Sequence, residues 1–267
     1  MTHFFSYKLY LCPMTISFFL TISDQTDLLK HQIASIIQQS QSIDELYIID
    51  SSGDEKNCDR VTQMQTQASF VIEHLQFKPT DSFAKQLNTA IHRSKGDFLI
   101  LVNEHGFLHP KLIQHHRQFS KRGLFLHGVV SKTITLPPLS FSENFQSVYK
   151  KVRASGNAFY FPLRSHFCRP KSFFSKENGI QNISFWREDF NLINGYDEDF
   201  HSPSYTQFDF LSRLTHLGVK SKSLKGAAFF YQPNKFSKGV PVAADEKLLE
   251  KSLMKKRIVA LNGVEKN

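Results

Sequence analysis

Polar and charged side chains follow short apolar segments at three places in the first half of the chain. The residues concerned are Asp24, Asp50, Ser51, Asn103, Glu104 and His105. Carboxylate, hydroxyl and amide groups hydrogen-bond to polar ligands, and carboxylates and imidazoles also ligate divalent cations. If the apolar segments are neighbouring strands, these side chains form one ligand site.

Short buried strands separated by amphipathic helices would position these residues. The predicted strands are Thr15–Ile22, Leu46–Asp50, Phe70–Leu75 and Phe98–Val102. The apolar residues with helical spacing after the first strand are Leu29, Ile33, Ile36 and Ile37. This order predicts an α/β fold with a mostly parallel central sheet flanked by helices, in which ligands bind beyond the carboxyl ends of the strands.

Three further expectations concern the rest of the chain. Asp81 is expected to cap the helix before the fourth strand, and Gly96 to stop that helix. Residues 124–175 have a weaker pattern, which predicts irregular structure over the sheet. The tail from Asp245 to Asn262 is expected to form an amphipathic helix with a lysine-rich face.

The composition limits the choice of class and partner. Of 267 residues, 40% are hydrophobic, enough for a folded core, and the net charge is +9. A basic chain tends to meet phosphates, acidic glycans or membrane surfaces, although a lysine-rich solvated surface gives the same charge. No basic cluster is interleaved with aromatic residues in the pattern of nucleic-acid-binding proteins, so no nucleic-acid partner is expected. Three dispersed cysteines, Cys12, Cys58 and Cys168, argue against a disulfide framework and favour a cytoplasmic location.

The start of the chain contains an apolar stretch from Leu9 to Ile22. Pro13 interrupts the stretch, which is too short to span a bilayer and lacks the cleavage pattern of a signal peptide. A typical strand begins at Met14. Residues 1–13 are therefore expected to be an extension, or Met14 to be the true start.

The segment from Asn182 to Phe200 has the most specific pattern, N-I-S-F-W-R-E-D-F-N-L-I-N-G-Y-D-E-D-F. It resembles the acceptor-side motif of family-2 glycosyltransferases with a galactosyltransferase-like C-terminal half. Similar matches in the same order are I-I-D-S-S-G, Q-L-N-T-A, D-F-L-S-R-L and L-K-G-A-A-F-F-Y. The resemblance implies one GT-A, Rossmann-like domain over 14–262, with a nucleotide-sugar half at 14–123 and an acceptor half at 124–262.

The resemblance also implies a nucleotide-diphosphate sugar as donor. The residues expected on that side of the site are Asp24, Asp50, Ser51, Asn88, Asn103, Glu104 and Trp186, of which Asp24 is placed there only by its position at a strand end. Asp50 takes the family's first acidic position and Ser51 replaces the second aspartate. Three structural alternatives remain open: a turn cap for Asp50, a helix–loop hydrogen bond for Asn88, and a buried ring for Trp186.

The family's metal motif, D-x-D, aligns with Asn103, Glu104 and His105. His105 and Glu104 are the metal candidates. Hard cations such as Mg²⁺ and Mn²⁺ prefer anionic oxygens, and Asn103 removes one charge, so we expect metal binding to be weakened.

The family's catalytic E-D pair aligns with Thr206 and Gln207, neither of which accepts a proton at neutral pH. The remaining carboxylates that could act as base are Asp197, Glu198 and Asp209. The alternatives are turn capping for the first two and a scaffold ion pair with Arg213 for Asp209.

Two hypotheses follow from these matches. The first is a glycosyltransferase that moves a hexose from a nucleotide sugar to a growing glycan in surface polysaccharide or lipopolysaccharide synthesis. The second is a catalytically inactive protein that binds a glycan, a nucleotide sugar or a partner glycosyltransferase. Either could touch a membrane surface through the basic C-terminal helix.

Overall fold

The computed structural model describes residues 14–23, 29–103, 106–132, 182–231 and 243–266. The strands are β1 Ile16–Ile22, β2 Glu45–Asp50, β3 Val71–Gln76, β4 Phe98–Val102, β5 Gly106–Leu108, β6 Leu124–Lys132, β7 Asn182–Trp186 and β8 Lys220–Tyr231. The helices are α1 Leu29–Ile37, α2 Lys56–Gln65, α3 Phe83–Arg93, α4 Leu112–Phe119, α5 Arg187–Leu192, α6 Pro203–His216 and α7 Ala243–Met254. None of the helices in these ranges is long and apolar enough to cross a bilayer.

The strands form one sheet in the order β3-β2-β1-β4-β7-β6-β8-β5. The first four are mutually parallel, and β6 and β8 run in the same direction as them. Only β7 and β5 run the other way within the described sheet. The predicted α/β architecture with a mostly parallel sheet and flanking helices is therefore confirmed.

Both faces of the sheet are buried at β1, β2 and β4, which explains why these three strands are mostly apolar. On β1, Phe18 and Leu20 face a core completed by α1, α2 and α4. Phe19, between them, faces the opposite core, completed by α3 and α6. Alternate side chains of a strand point to opposite faces, so each layer of helices receives its own set of apolar residues.

The four predicted strands are all present, and Phe98–Val102 has the predicted bounds. The predictions for the two ends of α3 were wrong. Its N-cap is Ser82, whose hydroxyl accepts the N–H of Lys85 at 3.2 Å, rather than Asp81. Its last residue is Arg93, so Gly96 is not the stop. Gly96 lies where an added Cβ would collide with Ser17 of β1.

Two predictions for the second half were wrong in part. Residues 124–132 form strand β6, which lies between β7 and β8 inside the sheet, rather than irregular structure. Residues 133–181 lie outside the described ranges, as do residues 1–13. The last helix ends at Met254 instead of Asn262, because Lys256 takes a left-handed backbone conformation with φ of 47°. The division into halves at residue 124 stays a prediction.

Candidate functional site

The carboxyl ends of β1, β2 and β4 lie side by side. Ile22 pairs with Asp50, and Leu20 pairs with Val102, the residue before Asn103. The N–H of Ser51 donates to the carbonyl of Ile22 at 2.9 Å. The structure therefore brings three of the predicted site residues, Asp50, Ser51 and Asn103, to one edge of the sheet. Asp24, Glu104 and His105 lie outside the described residues.

The carboxylate of Asp50 is buried and fully hydrogen-bonded. Its Oδ1 accepts the N–H and the hydroxyl of Ser52 at 2.9 and 2.6 Å. Its Oδ2 accepts Nδ2 of Asn57 at 2.9 Å and lies 2.8 Å from Nε2 of His74. Burial alone would raise the pKa of Asp50, but the hydrogen bonds from His74, Ser52 and Asn57 prevail and lower it to about 2. Asp50 thus holds the turn after β2 as a charged group.

The turn after β2 therefore owes its shape to side-chain hydrogen bonds. The hydroxyl of Ser51 donates to the carbonyl of Ile22 at 3.3 Å. Gly53 follows with φ of 71°, a conformation that favours glycine. Because the carboxylate of Asp50 is already engaged, it is the backbone of the turn after β2 that can contact a ligand.

Asn103 contributes a neutral oxygen at the end of β4. Its Oδ1 accepts the hydroxyl of Thr21 at the long distance of 3.5 Å, which ties β4 to β1. Within the described ranges there is no group of three or more His, Cys, Asp or Glu side chains that could hold a metal ion. A neutral amide alone is a poor ligand set for a hard cation, so the described residues do not by themselves fit Mg²⁺ or Mn²⁺.

Asn88, on α3, is hydrogen-bonded to the loop that follows α5. Its Oδ1 accepts the N–H of Tyr196 at 2.8 Å, and its Nδ2 donates to the carbonyl of Tyr196 and to Oε1 of Glu198, each at 2.9 Å. The side chain is buried and bonded at both ends. This geometry supports the helix–loop role that the sequence left open.

Asp197 and Glu198 lie in the loop after α5, in contact with the end of the chain. Oδ2 of Asp197 lies 2.9 Å from Nη2 of Arg257, and the side chain is fully buried. Glu198 accepts Nζ of Lys266 on Oε2 at 2.7 Å and retains 16% of its side-chain exposure. Glu198 is therefore the more accessible of the two carboxylates.

Asp209 is part of a buried ion-pair network on α6. Its Oδ2 accepts Nε of Arg213 at 2.6 Å, and both side chains are fully buried. Its Oδ1 accepts the hydroxyl of Ser252 at 2.8 Å and Nη2 of Arg257 at 3.0 Å. A base must reach the acceptor hydroxyl, so the geometry supports the scaffold role for Asp209.

Thr206 and Gln207 lie in the first two turns of α6, and both are buried. Thr206 is 1% exposed and donates its hydroxyl to the carbonyl of Ser202 at 3.0 Å. Gln207 is 7% exposed. Neither side chain carries a charge, so this part of α6 supplies no proton acceptor at neutral pH.

Trp186 lies at the opposite edge of the sheet, which contradicts its predicted place beside the nucleotide sugar. It pairs with Phe98, the first residue of β4, whereas Asn182 pairs with Val102 at the carboxyl end. Four residue steps along β4 separate the two edges by about 13 Å. The ring packs 5.1 Å from the ring of Phe98 and beneath the guanidinium of Arg122, at 3.8 Å. This geometry supports the buried-ring alternative.

Several polar residues of the matched motif serve as scaffold. Arg187 donates to the carbonyls of Gly96 and Ile91 at 2.7 and 2.9 Å. Asn182 accepts the N–H of Gly128 at 2.7 Å. Sequence reasoning missed His74 and Asn57, which surround Asp50. Little in the sequence indicates either residue, since His74 lies in a half-polar strand, V-I-E-H-L-Q, and Asn57 lies in the polar helix α2.

A surface depression of about 450 Å³ lies at the amino edge of the sheet, lined by Asp97, Arg122, Arg187, Glu188, Asn191 and Leu192. Asp97 accepts the hydroxyl of Thr15 at 2.9 Å, and Arg187 is engaged by backbone carbonyls. This depression lies across the sheet from Asp50 and Asn103, so it is not the strand-end site.

No protein-family model and no curated protein matches the sequence. Solved structures do match in fold. TarS of S. aureus, residues 1–349 with UDP-GlcNAc, has a TM-score of 0.65 at 8% identity, over 91% of this chain and 66% of that one. The mannosyltransferase PcManGT of Pyrobaculum calidifontis, with GDP-Man and Mn²⁺, has a TM-score of 0.58 at 11% identity, over 84% of this chain and 58% of that one. A mycobacterial protein has a TM-score of 0.56 at 13% identity, over 92% of this chain and 76% of that one.

The chain spans 58% of the length of the mannosyltransferase and 66% of the TarS fragment. At these identities the likeness concerns the fold. Together with the sheet order and the strand-end position of Asp50 and Asn103, it shows that the chain has the GT-A-like fold of glycosyltransferases.

Proposed function

We propose that this protein binds a nucleotide-diphosphate sugar at the carboxyl ends of β1, β2 and β4 and transfers the hexose to a glycan acceptor. The observation that carries the proposal is the meeting of Asp50, Ser51 and Asn103 at that edge of a GT-A-like sheet. Two proteins of similar fold were solved with such donors, GDP-Man and UDP-GlcNAc.

In this proposal Asp50 is a positioning residue, because all its acceptor sites are engaged by protein groups. It fixes the turn Ser51–Gly53, whose backbone meets the nucleotide. Asn88 has the same kind of role in holding the loop of Glu198 against α3. Asn103 contacts the donor directly, together with Asp24 and Glu104.

A divalent metal would be held by Glu104 and His105, with Asn103 as a neutral neighbour. Such an ion would neutralise charge on the diphosphate leaving group. No other part of the proposal depends on it, since the nucleotide can also be held by hydrogen bonds to the strand-end residues.

The acceptor would be a growing glycan of surface polysaccharide or lipopolysaccharide synthesis. Its hydroxyl must lose a proton, and Glu198 is our candidate for the base. It keeps 16% exposure, whereas the side chains of Asp197 and Asp209 are fully buried in contact with Arg257. To act as a base, Glu198 would have to exchange its contact with Lys266 for the acceptor.

A second candidate function is binding without transfer, in which the protein holds a glycan, a nucleotide sugar or a partner glycosyltransferase. The observation that favours it is the state of the carboxylates. Asp197, Glu198 and Asp209 each contact a cationic side chain, and Thr206 and Gln207 replace the family's acidic pair. An exposed ion pair such as that of Glu198 is weak enough to exchange, so transfer remains our first candidate.

Calorimetric titration of the protein with UDP, UDP-GlcNAc and GDP-mannose, each with and without Mn²⁺, tests the donor site. We expect saturable binding of at least one of them. Loss of that binding in an Asn103→Ala variant that keeps the wild-type melting temperature would support the site. Absence of binding by every nucleotide under both conditions would contradict the proposal.

Donor turnover then separates the two candidates. We expect release of nucleoside diphosphate from the bound donor, slow in water and faster with a glycan acceptor. Binding with no release in either condition would leave the inactive binding protein as the function.

A further inference from the structure

Exposed large apolar side chains are concentrated just after the last helix. Within the described ranges there are six of them, and four fall among eight consecutive residues. These four are Met254, Ile258, Val259 and Leu261, which are 80%, 37%, 46% and 59% exposed. The remaining two are Val71, on β3, and Leu192, the last residue of α5. We call residues 254–261 the apolar turn.

The apolar turn is not a frayed end, because the residues between the exposed ones are anchored. Arg257 contacts the buried carboxylates of Asp197 and Asp209 at 2.9 and 3.0 Å. Ala260 is 1% exposed and donates its N–H to the carbonyl of Ile193 at 2.9 Å. The fold therefore holds the intervening apolar side chains in water, a costly arrangement for a surface that nothing covers.

The charge beside the apolar turn is mainly positive. Lys255 and Lys256 are exposed within it, and Lys247 and Lys251 are exposed on the preceding helix α7. The exposed carboxylates of that helix are Glu246 and Glu250. Apolar side chains flanked by lysines fit the interface of an anionic bilayer, where the former enter the acyl boundary and the latter meet lipid phosphates.

We propose that the apolar turn docks the protein on the surface of an anionic phospholipid bilayer. The contact differs from the one that the sequence suggests, since it uses a rigid turn of 254–261 rather than the face of a helix extending to Asn262. It does not depend on the donor site, so it holds whether or not the protein transfers a sugar.

Cosedimentation of the full chain with vesicles tests this docking. One set contains phosphatidylcholine alone, and the other contains phosphatidylcholine with phosphatidylglycerol; no nucleotide or glycan is present. We expect binding to the anionic vesicles that weakens as salt rises. Lys255→Gln with Lys256→Gln should weaken it about fivefold for each lysine removed. Ile258→Ser with Leu261→Ser should weaken it at least as much.

The matched control is Val71→Ser, which removes an equally exposed apolar side chain from β3 and should leave vesicle binding unchanged. Circular dichroism of every variant confirms that it is folded. Absence of binding to anionic vesicles at low salt would overturn the proposal. So would a dimer that dissociates when Ile258 and Leu261 are replaced, since the apolar turn would then be covered by a second copy of the chain.

Discussion

The Nη2 atom of Arg257 lies 3.0 Å from the Oδ1 atom of Asp209, and this contact joins the residues after α7 to the middle of α6. The same guanidinium nitrogen lies 2.9 Å from Oδ2 of Asp197. Two buried carboxylates therefore share one arginine that comes from the last part of the chain. The segment that carries the apolar turn is consequently part of the folded core of the domain.

Replacement of Arg257 by methionine tests this dependence. We expect the free energy of unfolding to fall by about 3–5 kcal/mol, because the buried carboxylate of Asp197 loses the guanidinium that it contacts at 2.9 Å. Urea unfolding at pH 7 measures the change. The control is Lys266→Met, which removes the ion pair with Glu198. The side chain of Lys266 is 58% exposed, so this variant should lower the free energy of unfolding by less than about 1 kcal/mol. Equal effects of the two variants would contradict a stabilising role for the buried contacts of Arg257 with Asp197 and Asp209.

Asp50 should make stability depend on pH in the acid range. Its pKa is lowered from 3.8 to about 2 in the folded protein. A lowered carboxyl pKa stabilises the fold above the unfolded value, and the contribution, about 2 kcal/mol, is lost as the pH falls from about 4 to 2. We expect Asp50→Asn to lower the free energy of unfolding above pH 4 and to approach the wild type near pH 2.

Urea unfolding of both proteins across that pH range measures this convergence. The control is Asp59→Asn, in the exposed first turn of α2, which should change the free energy by less than about 1 kcal/mol. A difference between wild type and Asp50→Asn that stays constant from pH 6 to pH 2 would show that the hydrogen bonds of His74 and Ser52 do not set the pKa.

The first part of the sheet could be predicted from the sequence largely because β1, β2 and β4 are short and mostly apolar. Phe98–Val102 was predicted with its observed bounds. Strand β6 was missed because its pairing partners, β7 and β8, come more than 50 residues later, and a local pattern carries no such information. The predicted C-terminal helix was too long because Lys256 has a left-handed backbone conformation, which cannot be predicted from a lysine side chain.

The sequence predicted which strand ends meet at the site, but it predicted less well what each side chain there does. Asp50, Ser51 and Asn103 do lie at one edge. Whether a carboxylate there is open to a ligand depends on neighbours such as His74, which lies 24 residues along the chain from Asp50. Trp186 was misplaced because the antiparallel direction of β7 puts the end of its motif at the amino edge.

The position of Trp186, the only tryptophan of the chain, gives an optical test. Its ring is 7% exposed and lies beneath the guanidinium of Arg122. We expect a blue-shifted emission that saturating nucleotide leaves unchanged, because the donor would bind at the other edge of the sheet. A red-shifted spectrum, or strong quenching by UDP or GDP-mannose, would place the ring in the ligand site after all.

Glu198 should matter for transfer and not for donor binding. General-base catalysis contributes about 10²–10⁴-fold, so we expect Glu198→Gln to lower kcat by about 10²-fold or more at an unchanged donor affinity. The amide keeps the size of the side chain and its contact with Asn88. The control is the neighbouring Asp199→Asn, whose side chain is exposed and accepts Nδ2 of Asn262 at 2.8 Å. Full activity of Glu198→Gln would exclude Glu198 as the base.

Restoring a charge at Asn103 tests the metal side of the proposal. Asn103→Asp supplies an anionic oxygen at the end of β4, which a hard cation prefers to the neutral amide. We expect the affinity for Mn²⁺ to rise about tenfold or more, which corresponds to about 1.4 kcal/mol. Titration with Mn²⁺ in the absence of nucleotide measures the change. Thr21→Val removes the hydroxyl that contacts Asn103 without adding charge, so it should leave Mn²⁺ binding unchanged. If Asn103→Asp binds Mn²⁺ no better than the wild type, the loop after β4 does not form a metal site in this chain.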